Sequence, residues 1–205
     1  MKKKSIFLII TFLLFFSEAD SQEFDLAVQG GLNFAGMPGD NEAAITKTII
    51  NFHVGMTMEV SLSDTFSLQP GLIFSKQGGK NIYSEVLEEG EVINAETVVK
   101  LDYLNVPVMA KYYIVENFYA IGGPYIGFLI SASYKEKVEG TYEQKVDISE
   151  EIKKIDTGFN LGLGYKFDFG GYIQNSYMLG ISDIYTNSAF KSKNSVFQVS
   201  IGYFF

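Results

Sequence analysis

Residues 50–62, INFHVGMTMEVSL, decide the fold because apolar and other side chains alternate through the whole stretch. The first set consists of Ile50, Phe52, Val54, Met56, Met58, Val60 and Leu62, and the second of Asn51, His53, Gly55, Thr57, Glu59 and Ser61. Side chains that alternate in this way lie on opposite faces of a β-strand. The stretch therefore predicts a strand with one apolar face and one polar face.

Seven further stretches predict strands of the same kind. Alternation is clear in residues 24–34, 66–74, 104–114, 159–167 and 197–205. It is weaker in residues 118–134 and 171–182, which are nevertheless rich in the glycine, aromatic and β-branched residues of strands. The chain is therefore predicted to have eight strands.

The connections between these strands alternate in length. Short turns are predicted at residues 63–65, 115–117 and 168–170, and long polar loops at 36–48, 84–97, 135–155 and 183–194. An eight-stranded up-and-down barrel has this pattern when both chain ends lie on the side of the short turns. We expect the long loops outside the cell and the short turns in the periplasm.

Alternation alone does not say which face points inward, because a soluble lipocalin-like barrel has the same period. Three features favour a membrane barrel with the apolar face outside. The polar face consists largely of Gly, Ser, Asn and Gln, the chain ends on an aromatic residue of the apolar stripe, and aromatic side chains gather near the short turns, at Phe24, Phe66, Phe118, Phe167, Tyr203 and Phe205. The predicted fold class is all-β: an eight-stranded antiparallel up-and-down transmembrane β-barrel.

The N-terminal residues have the pattern of a secretory signal peptide. Lys2 to Lys4 form a basic start, residues 6–16 are apolar, and small residues follow. Cleavage after Ala19 or Ser21 is expected, so that residues 1–21 are removed and 22–205 form the barrel domain. An uncleaved N-terminal anchor is the alternative, although the apolar run is shorter than a spanning helix needs.

Composition restricts the function classes. The 205 residues include no cysteine, which excludes disulfides, thiolate metal sites and a cysteine nucleophile. The net charge of -8 argues against a nucleic-acid partner, because binding to phosphates requires a basic face. Charged residues are concentrated in the long loops, where solvation, cation bridging or recognition of a protein partner are alternative roles.

Four charged residues lie on the polar faces of their strands, all near the short-turn end: Asp25, Glu59, Lys111 and Lys166. Inside a narrow barrel, unpaired charges would cost several kcal/mol, so we expect a mutually paired cluster that closes the periplasmic end. The alternative is that these charges reach water separately at the rim of the barrel.

An enzyme is the second function class, because some small outer-membrane barrels act on lipids. His53 is the only imidazole, and Glu59, the carboxylate on the same strand face, is roughly 20 Å away along the strand. The sequence contains no nucleophile elbow, phosphate-binding glycine loop or paired-histidine metal motif. We therefore expect no catalytic residue, no metal and no cofactor, and a structural role for His53.

Three segments carry a family resemblance: 66–78, FSLQPGLIFSKQG; 101–112, LDYLNVPVMAKY; and 180–184, GISDI. They resemble the PorT or "porin family" type of outer-membrane β-barrel domain found in Bacteroidetes. The terminal stripe is similar to the insertion signal that the barrel assembly machinery recognises, and it comprises Phe197, Val199, Ile201, Tyr203 and Phe205.

The resemblance implies location and fold rather than chemistry. The expected barrel has the size of OmpA or OmpX and is surrounded by outer-membrane lipids and lipopolysaccharide, and the charged extracellular loops offer a position for a protein partner. An eight-stranded barrel is filled by side chains, so the family label does not make the chain a channel. The expected role is structural or surface-binding, and an accessory role in an envelope or secretion machine is the alternative that the PorT resemblance suggests.

Overall fold

A computed structural model describes residues 24–39, 45–86, 92–138, 144–187 and 191–205. The predicted signal peptide lies outside these residues. Nine strands occur in the described part of the chain: β1 Phe24–Met37, β2 Ile45–Ser61, β3 Phe66–Val86, β4 Val92–Val115, β5 Phe118–Val138, β6 Gln144–Asp147, β7 Ile155–Lys166, β8 Gly171–Gly180 and β9 Ser195–Phe204. None of the described residues forms a helix long and apolar enough to cross a membrane.

All strand pairs are antiparallel, and they close into a ring. Consecutive strands pair from β1 to β5, β7 pairs with the first half of β5, and β9 returns to pair with β1. The short strand β6 pairs with the second half of β5, beyond β7, and therefore adds no position to the ring. The predicted eight-stranded up-and-down barrel is confirmed.

Two of the predicted long loops are wrong in extent. Most of residues 84–97 belongs to the β3–β4 hairpin, because the two strands remain paired as far as Val86 and Val92. In residues 135–155, β5 continues to Val138 and β6 pairs back onto it. The backbone hydrogen bonds of these segments are thus satisfied by strand pairing rather than by solvent.

The described barrel has an apolar outside and a polar inside. Outward side chains such as Val54, Leu72, Leu161 and Ile201 are half exposed or more, whereas glutamine, asparagine and serine side chains fill the interior. In water, hydration of this apolar surface would be unfavourable in free energy, and contact with lipid avoids that cost. The distribution is that of a transmembrane barrel, and it decides against the soluble lipocalin-like alternative.

Aromatic side chains surround the short-turn end on the outside. Phe24, Phe66, Phe167, Tyr203 and Phe205 are all exposed there. Aromatic side chains are typical of the boundary between the hydrocarbon and the headgroups of a membrane. The belt thus marks one edge of the membrane.

Candidate functional site in the barrel lumen

Glu59 of β2 and Lys111 of β4 form an ion pair inside the barrel near the short turns. Lys111 Nζ donates a hydrogen bond of 2.7 Å to Glu59 Oε2, and both side chains are almost fully buried. Tyr113 donates a second hydrogen bond, 2.8 Å long, to Glu59 Oε1. Both carboxylate oxygens therefore have a partner, as a buried charge requires.

Three aromatic rings enclose the ammonium group of Lys111. Its Nζ lies 4.0 Å from the ring centre of Tyr119, 4.9 Å from that of Tyr113 and 5.1 Å from that of Phe204. The negative faces of aromatic rings attract a cation, most strongly where water is excluded. Lys111 is thus stabilised by one carboxylate and by a box of rings.

Asp25 and Lys166 form a second pair, closer to the rim at the short-turn end of the barrel. Lys166 Nζ lies 3.4 Å from Asp25 Oδ2, but the Asp25 side chain is 54% exposed. Phe204 stands between the two pairs, because its ring centre is also 4.4 Å from Lys166 Nζ. The structure therefore brings the four charges together as one buried pair, Glu59 with Lys111, and one pair at the rim, Asp25 with Lys166.

His53 belongs to a buried polar network halfway up the lumen. Its Nδ1 lies 2.8 Å from Asn33 Oδ1, and its Nε2 lies 2.9 Å from Ser200 Oγ. Gln198 and Ser75 continue the network through hydrogen bonds with Asn33. Gly31 makes room for the imidazole, since a Cβ at residue 31 would meet His53 Cε1 at 2.8 Å.

Ser200, His53 and Asn33 are ordered like the members of a hydrolytic triad, but the space around them is small. All three side chains are buried. The cavity beside Ser200 has a volume of about 30 Å³ and is lined mainly by amides and hydroxyls. This is room for ordered water, not for an acyl chain. Among the described residues, no three histidine, aspartate or glutamate side chains could jointly hold a metal ion.

An apolar cluster closes the other end of the lumen. It joins strand residues to segments beyond the strands and comprises Met37, Val99, Leu101, Tyr103, Ala132, Ile148, Ile152 and Ile184. Just below it, Asp156 accepts hydrogen bonds from Tyr125 (2.9 Å), Ser182 (2.6 Å) and Asn194 (2.9 Å). The chain between β8 and β9 is thereby attached to the barrel wall.

The terminal stripe points away from the lumen. Phe197, Ile201, Tyr203 and Phe205 are exposed on the outside of β9 and at its end, and Val199 is half-buried among them. An outward stripe is available to another protein before the barrel enters the lipid. Recognition by the assembly machinery stays a prediction.

Sequence reasoning missed the rings that surround Lys111. Phe204 lies on the inward face of β9, whereas the sequence interpretation of that strand considered only its apolar, outward face. Three inward tyrosines at different heights, among them Tyr119 beside Lys111, each lie against a glycine on the next strand, in the pairs Tyr119–Gly164, Tyr125–Gly158 and Tyr172–Gly202. Tyrosine on the glycine-rich face of the alternation is the signal that could have found them.

Comparison with known proteins agrees with this geometry. The family model described as outer membrane protein beta-barrel domain matches residues 16–186. The chain is similar in fold to Ail, the attachment invasion locus protein of Yersinia pestis, with 16% identity, a TM-score of 0.50 and coverage of 89% of this chain and 99% of that chain. It is also similar to Neisserial surface protein A, with 10% identity, a TM-score of 0.52 and coverage of 87% and 96%. No curated protein sequence matches.

Proposed function

The chain belongs to the outer membrane protein β-barrel domain family and is located in the outer membrane, and we propose that it is a surface-binding or structural barrel rather than a transporter. Its contacts are made by the part that projects beyond the lipid at the end opposite the short turns. The short turns face the periplasm in this proposal.

The projecting sheet is the observation that carries the proposal. On β3 and β4, the last outward apolar pair is Phe74 and Leu104, and the next outward pair is the ion pair of Lys76 and Asp102. Beyond this point the two strands remain paired as far as Val86, a further length of about 35 Å along the strand. A membrane crossing needs only about 9–11 residues per strand, so this length serves a purpose outside the lipid.

The packed lumen supports the same proposal from the inside. Ion pairs fill the short-turn end, amides and hydroxyls fill the middle, and apolar side chains fill the far end. A substrate would have to displace all three layers. This arrangement favours neither transport nor catalysis, so His53 is proposed to hold the lumen together.

The partners proposed for the chain follow from its location. Outer-membrane lipids and lipopolysaccharide surround the apolar band, the assembly machinery acts during insertion, and a macromolecule at the cell surface is bound by the projecting sheet. The accessory role in an envelope or secretion machine rests on the PorT resemblance alone. Identification of the bound partner as a component of such a machine would favour that role.

Photo-cross-linking in intact cells tests the proposal. A photoreactive amino acid at Ile82 or Val146, both exposed on the projecting part, is expected to give a discrete adduct with a macromolecule. The matched control is Leu161, which is 59% exposed on the membrane-spanning part of β7 and should give no such adduct. Absence of an adduct from both projecting positions, with the barrel folded, would contradict a surface-binding role.

A further inference from the structure

The outward face of β3 and β4 changes from continuously apolar to partly charged within one residue pair. Below the change lie Phe74 and Leu104, and above it charged side chains begin with Lys76 and Asp102 and alternate with the aliphatic side chains of Val98 and Ile82. Side chains at the end of the apolar band face the headgroups of the lipid leaflet. The charged region therefore begins at headgroup height.

An open cleft of about 530 Å³ lies in this charged region. It forms where β2 and β3 are unpaired, between the pairs Lys47–Lys80 and His53–Ser75. Its lining comprises Thr48, Ile49, Ile50, Asn51, Lys80, Glu96, Val98, Lys100, Lys135 and Lys137. The cleft thus combines ammonium groups with aliphatic side chains at the gap between β2 and β3.

The charge of the cleft is opposite in sign to that of the protein. Four lysines and one glutamate give the lining a net charge of +3, whereas the whole chain carries -8. Glu96 compensates Lys80 at a distance of 3.8 Å, and Lys100 and Lys137 are exposed. Concentration of positive charge on one small surface of an acidic protein indicates an anionic ligand.

We propose that this cleft binds the phosphate group of a lipid headgroup in the leaflet that surrounds the projecting sheet. Lysine ammonium groups bind phosphate as point charges, and a basic cluster beside a membrane attracts anionic lipids. The aliphatic side chains of Ile50 and Val98 provide a surface for the lipid part of the ligand, which a soluble anion would not need. The inference rests on the membrane placement described above, and the leaflet depends on the proposed orientation.

Native mass spectrometry of the full chain in neutral detergent tests the proposal without any variant. Dimyristoylphosphatidic acid is expected to form a one-to-one adduct, and dimyristoylglycerol, which has the same acyl chains without phosphate, is expected not to. Equal retention of both lipids would overturn a phosphate site. An inorganic phosphate adduct that resists competition by phosphatidic acid would identify a soluble anion as the ligand and overturn the lipid assignment.

The variant with Lys100→Gln and Lys137→Gln locates the binding site. A lysine near an anionic surface contributes about a factor of five, so removal of two should weaken phosphatidic acid binding roughly thirtyfold. Lys153→Gln with Lys193→Gln is the matched control, because it removes the same charge from exposed positions outside the cleft. An equal loss in both variants would overturn the site. Altered gel mobility on heating checks that each variant is folded.

A separate measurement keeps this inference distinct from the proposed orientation. Because the chain has no cysteine, single Asp64→Cys and Glu150→Cys variants can be treated with a membrane-impermeant maleimide on intact cells. Labelling of Cys at position 150 alone supports the proposed orientation. Labelling at position 64 alone would show that the orientation is the reverse of the proposed one and that the cleft faces the inner leaflet. Lipid binding in detergent would be unchanged.

Discussion

Glu59 and Lys111 show how single residues keep charge inside a lipid-embedded barrel. Glu59 receives hydrogen bonds from Lys111 and Tyr113, and the rings of Tyr119 and Phe204 cover the ammonium group. Loss of either charge alone leaves the other buried without its counter-charge. Loss of both charges leaves no unpaired charge buried in the lumen.

We predict that Lys111→Met destabilises the barrel by about 3–5 kcal/mol and that adding Glu59→Gln recovers a large part of the loss. Urea unfolding in detergent, followed by the mobility difference between folded and heated protein, measures both effects. The rim pair supplies the matched control: Lys166→Met should cost far less, since Asp25 is largely in water. Strictly additive losses for Glu59 and Lys111 would show that the two residues do not act as a pair.

His53 allows a residue-level test that separates stability from chemistry. In the variant His53→Ala, the buried side chains of Asn33 and Ser200 lose partners, at a cost of about 1–3 kcal/mol each. The lipid composition of the outer membrane, determined by mass spectrometry, should stay the same. A lipid modification present with the natural chain and absent with His53→Ala at equal abundance would establish an enzyme instead.

The sequence was sufficient to place these residues on the inward face but not to choose their contacts. A period of two assigns Glu59 and Lys111 to the lumen, and the positions of the short turns assign them to one end. Which lysine pairs with which carboxylate depends on strand register and on the shear of the barrel. Neither can be predicted from the sequence of a single strand. The sequence likewise places Phe204 and Tyr119 on inward faces, but it does not show that both rings meet at Lys111.

At the scale of elements, β3 and β4 extend much farther than their hydrophobic pattern predicts. The apolar and polar alternation ends near Phe74 and Leu104, where the outward face leaves the lipid and no longer needs apolar side chains. Strand pairing nevertheless continues, because Val99 and Leu101 still pack inward against the apolar cluster. A strand segment in which only the inward side chains are apolar is easily interpreted as a polar loop.

Gly78 sits on β3 where the strand leaves the apolar band. Its φ of 120° is unfavourable for other residues, and a Cβ would lie 2.1 Å from the carbonyl oxygen of Val99. We predict that Gly78→Ala destabilises the projecting hairpin by about 1 kcal/mol or more, and that amide exchange becomes faster from Asn81 to Val86. Gly30→Ala is the control, since its Cβ would meet its nearest atom at 3.5 Å. Equal exchange in both variants would contradict this role of Gly78.

At the scale of the whole molecule, closure of the lumen and projection of the sheet have a common origin. Inward side chains of β4 fill the barrel at its lower end with Lys111 and at its upper end with Leu101 and Val99, and the strand then continues outward as part of the projecting sheet. The segments around Ile148 and Ile184 pack on that upper end. The same strands that obstruct the lumen thus hold the projecting surface at a fixed position above the membrane.

Closure at several heights leads to a prediction about conductance. The natural chain in planar lipid bilayers should show no stepwise current, because ion pairs, an amide network and an apolar cluster each block the path. Lys111→Ala weakens only the lowest block and should therefore also remain silent. A known open channel in the same bilayers checks the recording, and the mobility shift on heating checks that the reconstituted chain is folded. Steady current steps from the folded natural chain would contradict the closed lumen, and with it the proposal that the molecule acts through its projecting surface rather than through its interior.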